Sequence, residues 1–554
     1  MENAFVLKCT CCGFAMLLFL SGEAIAQSET GDGLSNGSPV VEEIVITVHP
    51  IFDEKNPREN NILFRFINKL HINTKSNVIE KDLTFKQGDK FDNHVLEESE
   101  RRLRSRRYFA SATVVAENGN SVKNSESGRK VNVDVREVWT FVPKVTYSRT
   151  GGNNRYGYGL YDSNFLGLGK TLKVERNSSI ERTSDTFEFR DPNFYDEKQL
   201  SLLYSNNSDG FAREFHLSNP FRSVKTPWAG GFDFQEFSRE DTLFSAGKEA
   251  VRFSHDNNYY SLFYGIRLNS SNDERTHRLS YGLDDTSDSF IAVPNTDESI
   301  PFKLPFDREY SVAWVEYSYL HSRYVEAKNI QQINRPEDIN LGSQMRFRIG
   351  RVNSPVAVFD DRASIELEYL KAFQLSDHQI FSMNIASSGF YDFNDIVQSI
   401  SKVNANYHWS NFSRGQFFIS LSEVYGENLF IDTPVELGGD NGLRGYPARF
   451  VSGERSHLFT LEQRYFGETE WFSLFHVGAA VFYDQGRVWG ESGVAQINEG
   501  TLRNVGLGLR ISGTRTGGRD EGTHNIAHVD LSYPLDGGSN IDKYQFSVKI
   551  KTSF

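Results

Sequence analysis

Hydrophobic and polar residues alternate with a period of two in segment after segment from about Pro143 to Phe554. Successive side chains of a β-strand point to opposite faces, so this alternation predicts strands with one apolar and one polar face. Five segments near the C-terminus show it most clearly. Their apolar faces carry Phe459, Leu461 and Tyr465; Phe475, Val477, Ala479, Val481 and Tyr483; Val505, Leu507, Leu509 and Ile511; Val529, Leu531 and Tyr533; and Tyr544, Phe546, Val548, Ile550, Thr552 and Phe554. The pattern predicts a mainly β fold.

The number of strand segments favours a barrel. At roughly ten residues per membrane-spanning strand plus turns, the ~410 residues from Pro143 onward fit an antiparallel transmembrane β-barrel of ~16 strands. Loops are predicted from Asp284 to Phe306 and from Lys328 to Leu341. A soluble β-sandwich shows the same alternation and is the alternative. Two features favour the barrel: the sequence ends on Phe554 within an unbroken strand, and the strand segments continue without helices that would cover an open sheet.

A mixed pattern precedes the barrel, between Glu42 and Val142. One strand pattern is followed by two helical patterns and two further strand patterns, at residues 44–48, 60–70, 93–108, 112–116 and 131–135. Apolar residues spaced three and four apart identify the helices. We predict a small α+β domain of β-α-α-β-β order over residues 42–142. Its exposed edge is assigned to Val131, Val133 and Val135, where an extended polypeptide could be added as a strand.

The first 26 residues have the features of a secretory signal peptide. Lys8 precedes a mostly apolar stretch, and Ala24-Ile25-Ala26 offers a small-x-small cleavage site before Gln27. A buried helix of the mature fold is the alternative. All three cysteines lie at positions 9–12, so the mature chain would contain no thiol for disulfide or metal chemistry. Residues 27–41 are rich in serine and glycine and are predicted to be a flexible linker.

Composition narrows the classes of function. The formal net charge of −13 and the pI near 5.6 argue against a nucleic-acid partner. The chain contains no HExxH, GxSxG or phosphate-binding glycine loop, and His476 and His528 have no metal-ligand spacing. We therefore expect no cofactor and no metal.

A glycine-rich segment interrupts the strand pattern between Leu437 and Phe450, with the sequence LGGDNGLRGYPARF. Glycine permits positive φ angles and close approach of the backbone. Gly438 and Gly439 therefore predict a compact loop that leads into Leu443-Arg444-Gly445-Tyr446.

This LRGY tetrapeptide resembles the long sixth loop of the BamA/TamA superfamily of outer-membrane barrels. The segment from Gly157 to Val174 and the motif Asp191-Pro192-Asn193-Phe194 resemble bacterial surface antigen barrels of the same superfamily. The phrases LTFKQGDKF and LEESERRLRSRRYF resemble a polypeptide-transport-associated (POTRA) domain. The resemblance covers nearly the whole mature chain. Members of the BamA type typically have several POTRA domains, whereas only one is found here.

The resemblance implies a partner for Arg444. In the superfamily the loop enters the barrel, and its arginine contacts the acidic residue of a Phe-x-Asp-x-Gly motif, which corresponds to Phe482, Asp484 and Gly486. Strand alternation independently places Phe482 and Asp484 on the polar, lumen-facing side. A buried guanidinium needs such a carboxylate, so we expect an internal latch. The residues assigned to the loop are Gly438, Gly439, Leu443, Arg444, Gly445 and Tyr446. The alternative is an exposed Arg444 and a solvated Asp484.

The resemblance also implies a function. It predicts a protein in the outer membrane of a Gram-negative bacterium, with its N-terminal domain in the periplasm, that inserts or exports polypeptides and is not an enzyme. The expected partners are the lipid bilayer, unfolded or extended client polypeptides, and periplasmic or lipoprotein partners. The alternatives are a two-partner-type secretion pore for a dedicated polypeptide and a passive outer-membrane channel.

A basic cluster lies on the second predicted helix. It consists of Arg101, Arg102, Arg104, Arg106 and Arg107. Neighbouring glutamates offset its charge, so we predict a solvated helix face. Docking of an acidic partner or of lipid headgroups is the alternative.

Overall fold

The computed structural model describes residues 40–117, 129–195, 198–269, 274–293, 302–355, 359–392, 395–494, 500–515, 526–536 and 541–551. The predicted signal peptide, most of the predicted linker and Phe554 lie outside these ranges. The described residues form a small N-terminal domain and a large closed barrel. None of the helices in the described part of the chain is long and apolar enough to cross a membrane.

The N-terminal domain combines a three-stranded sheet with three short helices in its described part. Its elements are β1 (Val41–His49), α1 (Ile62–Leu70), α2 (Ser76–Asp82), α3 (Asn93–Ser105), β2 (Phe109–Ala116) and β3 (Arg129–Glu137). Side-chain oxygens start two helices, since Asn61 accepts the N–H of Phe64 and Asp92 accepts that of His94. The helix α2 was not predicted, because seven residues are too few to display a helical period.

The predicted client edge is wrong. The strand order is β1-β3-β2, so β3 is the central strand and the free edges belong to β1 and β2. Val131, Val133 and Val135 are fully buried and pack with the apolar side chains of α2 and α3. The order of elements along the chain does not reveal that β1 pairs in parallel with the last strand of the domain.

The barrel contains twenty antiparallel wall strands within the described residues, so the predicted number of about 16 is wrong. They are β4 (Phe141–Thr150), β5 (Asn153–Asp162), β6 (Thr171–Ser178), β7 (Thr183–Phe194), β8 (Lys198–Asn207), β9 (Gly210–Asn219), β10 (Trp228–Ser245), β11 (Lys248–Arg267), β12 (Arg275–Ala292), β13 (Arg308–His321), β16 (Ser343–Asn353), β17 (Ala363–Ser376), β18 (Gln379–Tyr391), β19 (Ile396–Phe412), β20 (Gly415–Glu427), β23 (Arg455–Trp471), β24 (Phe475–Trp489), β25 (Leu502–Gly513), β26 (Ile526–Pro534) and β27 (Gln545–Lys551). Two small hairpins lie between wall strands: β14 (Tyr324–Lys328) with β15 (Pro336–Asn340), and β21 (Val435–Leu437) with β22 (Val451–Gly453). Turns of two residues, such as Gly151-Gly152, join several wall strands, so a strand together with its connection takes fewer residues than assumed.

The alternation of side chains in the last strands is as predicted. On β25, Val505, Leu507 and Leu509 point out of the barrel and are exposed, whereas Asn504 and Arg510 point inward and are buried. An exposed apolar outer surface is what a lipid environment requires of a barrel wall.

Both predicted loops contain strand. The first was predicted from Asp284, but β12 continues to Ala292. Its acidic residues are lumen-facing members of the strand, since Asp284 accepts the Ser261 hydroxyl and Asp288 pairs with Arg308. The second, from Lys328 to Leu341, contains the turn and second strand of the hairpin β14–β15.

The N-terminal domain is attached to one end of the barrel, which we call the proximal end. There the Trp139 N–H donates to the Arg515 carbonyl at 2.7 Å, and the Lys75 N–H donates to the Gly167 carbonyl at 3.0 Å. Turns at this end lie between β5 and β6 and between β7 and β8, among others. The LRGY loop leaves the wall at the opposite, distal end, between β20 and β23.

The barrel closes through a short seam between its first and last strands. In the described residues, β27 and β4 are aligned only at Val548 opposite Arg149. By contrast, β26 and β27 pair continuously from Ile526 to Ser532. Within the described residues, the seam is therefore the shortest ladder in the wall.

Candidate functional site in the barrel lumen

The loop between β20 and β23 folds back into the lumen, and its glycines make the fold possible. A Cβ on Gly438 would lie 2.4 Å from the Pro447 carbonyl oxygen, and one on Gly439 would lie 2.4 Å from that of Tyr446. Both distances are impossible for a real side chain, so these positions require glycine. Leu443 and Tyr446 are fully buried in a cluster of apolar side chains between loop and wall. We call residues 428–454 the latch loop.

Arg444 lies at the centre of the latch loop and is held by two carboxylates. Its Nε and Nη2 atoms donate to the two oxygens of Asp484 at 2.8 and 2.6 Å, and its Nη1 atom donates to Glu462 at 2.6 Å. Its guanidinium also covers the ring of Phe482, with Cζ 3.4 Å from the ring centroid. The structure thus brings together the residues that the sequence paired.

The partners of Arg444 are themselves positioned by the wall. Thr460 and Asn504 donate to Asp484 at 3.0 and 2.8 Å. Glu462 also accepts from Arg464 at 2.8 Å. Gly486 leaves room for Leu443, since a Cβ there would lie 3.0 Å from the leucine side chain. Arg444, Asp484 and Glu462 therefore belong to one hydrogen-bonded network with the wall, which specifies a single position for the loop.

Sequence reasoning missed two parts of this arrangement. Glu462 was placed on the polar face of its strand by alternation, but no motif singled it out. A second anchor joins Asp432 of the latch loop to Arg308 through two bonds of 2.8 and 2.9 Å. No signal in the sequence pairs these two residues, which are far apart in the chain.

Tyr446 and Gly445 hold the end of the tetrapeptide. The Tyr446 hydroxyl lies 2.8 and 2.9 Å from the carbonyl oxygens of Arg503 and Asp536, and burial raises its pKa to about 12. A Cβ on Gly445 would lie 2.6 Å from the Cβ of Asn504. Gly445 therefore packs against β25 with no space for a larger side chain.

The latch loop contacts both strands that border the seam. The Lys549 ammonium of β27 donates to the Asp440 carbonyl at 2.6 Å. On the other side, the Ala448 N–H donates to the Gly151 carbonyl in the turn after β4, at 3.1 Å. One loop thus bridges the shortest ladder in the described part of the wall.

The remaining predicted residues lie in the wall. Tyr544, Phe546 and Ile550 are exposed on its outer surface, while Gln545 and Ser547 between them are buried on the lumen side. Val548 takes part in the seam.

The basic cluster is not a solvated face, which corrects that prediction. Arg106 is buried against Asp82, and Arg104 pairs with Asp338 of the hairpin β14–β15. Burial opposes ionisation of Asp82, but the Arg106 guanidinium outweighs it and lowers the pKa of the carboxyl. Asp82 also accepts from Asn193, in the motif Asp191-Pro192-Asn193-Phe194, at 3.1 Å. Arg104 thus attaches the N-terminal domain to the barrel directly, whereas Arg106 holds the Asp82 carboxylate that accepts from Asn193 of the barrel.

Comparison with family models identifies the N-terminal domain. Residues 65–138 match the POTRA family model, described as the surface antigen variable number repeat. A comparison with curated protein sequences returns no match. Among solved structures, the chain is similar to BamA from Haemophilus ducreyi lacking POTRA domains 1–3, with 10% identity over 93% of this chain and 85% of that chain and a TM-score of 0.38. It is also similar to CdiB from Acinetobacter baumannii (11% identity, 100% and 98%, TM-score 0.43) and CdiB from Escherichia coli (11%, 95% and 93%, TM-score 0.44).

These structural likenesses are distant, so the class is defined by the features of the chain itself. One POTRA domain precedes a closed antiparallel barrel, and an LRGY loop fills part of the lumen. The chain therefore combines one POTRA-family domain with a closed antiparallel β-barrel, and the sequence predicted both parts.

Proposed function

We propose that this protein inserts client polypeptides into the outer membrane at the seam between β4 and β27, with the POTRA domain facing the periplasm. The observation that carries the proposal is the position of the latch loop. It is bonded to β27 through Asp440, to the turn after β4 through Ala448, and to the lumen wall through Arg444. Displacement of one loop would therefore loosen the wall at its shortest ladder.

The seam offers chemistry suited to an extended client. Strand edges carry unpaired N–H and C=O groups, which pair readily with another strand. In a lipid environment such groups must be satisfied, because an unpaired backbone group costs several kcal/mol there. A client strand that pairs with β4 or β27 meets this requirement.

The POTRA domain supplies a second free edge, on β2. The side chains of Ser111, Thr113 and Val115 on this strand are exposed, and Val115 is 59% accessible. An extended polypeptide can add to such an edge through main-chain hydrogen bonds. The client edge proposed from sequence therefore moves from β3 to β2.

Crosslinking in cells tests the proposal. A photoreactive amino acid at Val115 should trap outer-membrane or exported polypeptides, whereas the same residue at Val133 should trap none, because Val133 is fully buried in the central strand. Trapped proteins that are inserted into the membrane support insertion, and trapped proteins that are released support export. If Val115 and Val133 give the same products, the proposal is wrong.

A steady open pore would indicate the passive channel instead. We expect low conductance from the intact barrel, because the latch loop occupies the lumen. A large conductance that is unaffected by deletion of the POTRA domain, together with no trapped client, would support the channel.

A further inference from the structure

The connection between β13 and β16 enters the barrel from the proximal end. Residues 322–342 form the hairpin β14–β15, and the tip at 329–335 lies among side chains that line the proximal mouth of the lumen. Ile333 at the tip is 3% exposed and packs against Phe466, Ala480 and Ile526 of the wall. A turn between two neighbouring wall strands requires only a few residues, so this longer segment has a purpose beyond connection.

The tip has a defined shape. The Glu337 carboxylate accepts the backbone N–H groups of residues 330–332 at about 3 Å. Asn329 and Asn334 adopt φ angles of 60° and 56°, the left-handed region that asparagine tolerates better than most residues. Burial raises the pKa of Glu337, although these N–H groups oppose the shift. A preorganised tip fits a specific seat in the mouth of the barrel.

The seat consists of polar groups of the wall. Gln416 is fully buried and donates to the Asn329 carbonyl at 2.7 Å. Asn334 donates to the Gly467 carbonyl at 2.7 Å. These bonds and the burial of Ile333 hold the tip in the lumen.

The tip and the latch loop meet at one pair of wall residues. Arg464 lies 3.5 Å from the Ile330 carbonyl oxygen and donates to Glu462, which in turn binds Arg444. The lumen is therefore filled from both ends, and the two inserted segments share one ion network.

The base of the hairpin is attached to the POTRA domain. Arg104 of α3 donates to both oxygens of Asp338, at 2.8 and 3.2 Å. Arg101 of the same helix covers the ring of Tyr324, with Cζ 4.6 Å from the centroid. Any shift of α3 relative to the barrel would be transmitted to the hairpin.

Side chains of α3 and of the hairpin tip also occupy the free edge of β2. Glu100 accepts the Val114 N–H at 2.9 Å and binds Arg104 at 2.6 Å. Arg335 at the tip lies 3.4 Å from the Phe109 carbonyl oxygen. An added strand would need these edge groups for its own ladder, so it would compete with Glu100 and Arg335.

We propose that residues 322–342 are a movable plug of the proximal mouth, held shut through Arg104–Asp338 and released when an extended polypeptide pairs with β2. The plug itself rests on the contacts described above. Only the identity of the releasing partner rests on the proposed function.

The test measures access to the tip in the full chain in lipid nanodiscs. An Ile333→Cys variant, with serine at positions 9, 11 and 12, is labelled with a water-soluble maleimide. Asp338→Asn weakens the link to Arg104 and should raise the labelling rate about tenfold or more. Arg107→Ala is the matched control, because Arg107 contacts Tyr161 of the wall and not the hairpin. Equal rates in Asp338→Asn and Arg107→Ala would overturn the plug.

The coupling to β2 is tested with a peptide of the sequence of residues 544–554, which has strand alternation throughout. The peptide should raise labelling of the Ile333→Cys variant several-fold, and a scrambled peptide should not. A peptide that crosslinks to position 115 without changing the labelling rate would refute the coupling. A peptide that fails to crosslink there refutes the proposed client edge, while the Asp338→Asn result still decides the plug.

Conductance provides a second test of the plug if the Ile333→Cys variant does not fold. In planar bilayers, Asp338→Asn in the otherwise unchanged chain should open more often than Arg107→Ala. Identical traces for the two variants would overturn the plug.

Discussion

Replacement of Arg444 with alanine should release the latch loop. Two carboxylates would lose their shared cation, and both are buried, with side-chain exposures of 0% for Asp484 and 6% for Glu462. Removal of one partner of a buried ion pair costs ~3–5 kcal/mol. We expect the lower end of this range, because Asp484 keeps the bonds from Thr460 and Asn504. About 3 kcal/mol corresponds to roughly a hundredfold increase in the open population of the loop.

A single cysteine at Ala448 can report this opening, since Ala448 is 7% exposed in the closed loop. When opening and closing are fast, the rate of maleimide labelling follows the open population. Arg503→Ala is the matched control. Arg503 makes the same two-bond contact, to Asp536, but its side chain is 49% exposed. Exposed pairs contribute little, so labelling should rise a few-fold at most.

Two further variants sharpen the result. Arg444→Lys should give an intermediate rate, because an ammonium cannot make the forked contact with Asp484 and reach Glu462 as well. Arg449→Ala should have a much smaller effect than Arg444→Ala, since the Arg449 side chain is 30% exposed. Equal effects of Arg444→Ala and the two control variants would refute the latch.

Three other predictions follow from the same contacts. Burial raises the pKa of Glu436 in the latch loop to about 7, while Arg449 at 3.6 Å opposes the shift. A raised carboxyl pKa means that its stabilising contribution is complete below the ordinary value of 4.5 and is lost as the pH rises through about 7. Loop labelling relative to Glu436→Gln should therefore increase between about pH 5 and about pH 8, and a flat ratio would contradict the assignment. Gly151→Ala should open the loop, because Gly151 has a φ of +53° and its Cβ would lie 2.0 Å from the Ala448 nitrogen; unchanged labelling would disprove this close approach. Asp82→Ala should lower the stability of the POTRA domain by ~3–5 kcal/mol, since it leaves Arg106 buried without that carboxylate. The domain should then be cleaved faster by protease, and resistance equal to that of the wild type would show that the Asp82–Arg106 pair does not stabilise it.

The sequence was sufficient for the parts of the fold that depend on local pattern. Strand alternation correctly assigned the inward and outward faces of the last strands, and it placed Asp484 in the lumen without reference to any family. The POTRA match and the closed barrel agree with the predicted class. The predicted number of strands was wrong because the sequence patterns of strands and loops differ little here. Turns are tight, and acidic residues such as Asp284 and Asp288 face the lumen within a strand.

The predictions that were wrong concern contacts between segments that are distant in the sequence. Nothing local indicates that β3 lies between β1 and β2, and so Val131 was assigned to an edge although it lies in the core. The local sequence of the basic cluster indicates a helix with offsetting glutamates, and Glu100 does pair with Arg104, but Arg104 has a second partner in Asp338, far along the chain. The plug hairpin was missed for the same reason, since its seat is formed by residues of several wall strands.

Locking the seam tests the central claim most directly. Cysteines at Arg149 and Val548, which are opposite each other across the seam, would form a disulfide between β4 and β27. Cysteines at Leu160 and Val174, which are opposite each other between β5 and β6 and both exposed on the outer wall, are the matched control. The measured quantity is the amount of client, identified by crosslinking from Val115, that reaches the outer membrane. We predict that oxidation stops client insertion in the seam variant, that reduction restores it, and that the control pair has no effect. Undiminished insertion through an oxidised seam would contradict the account.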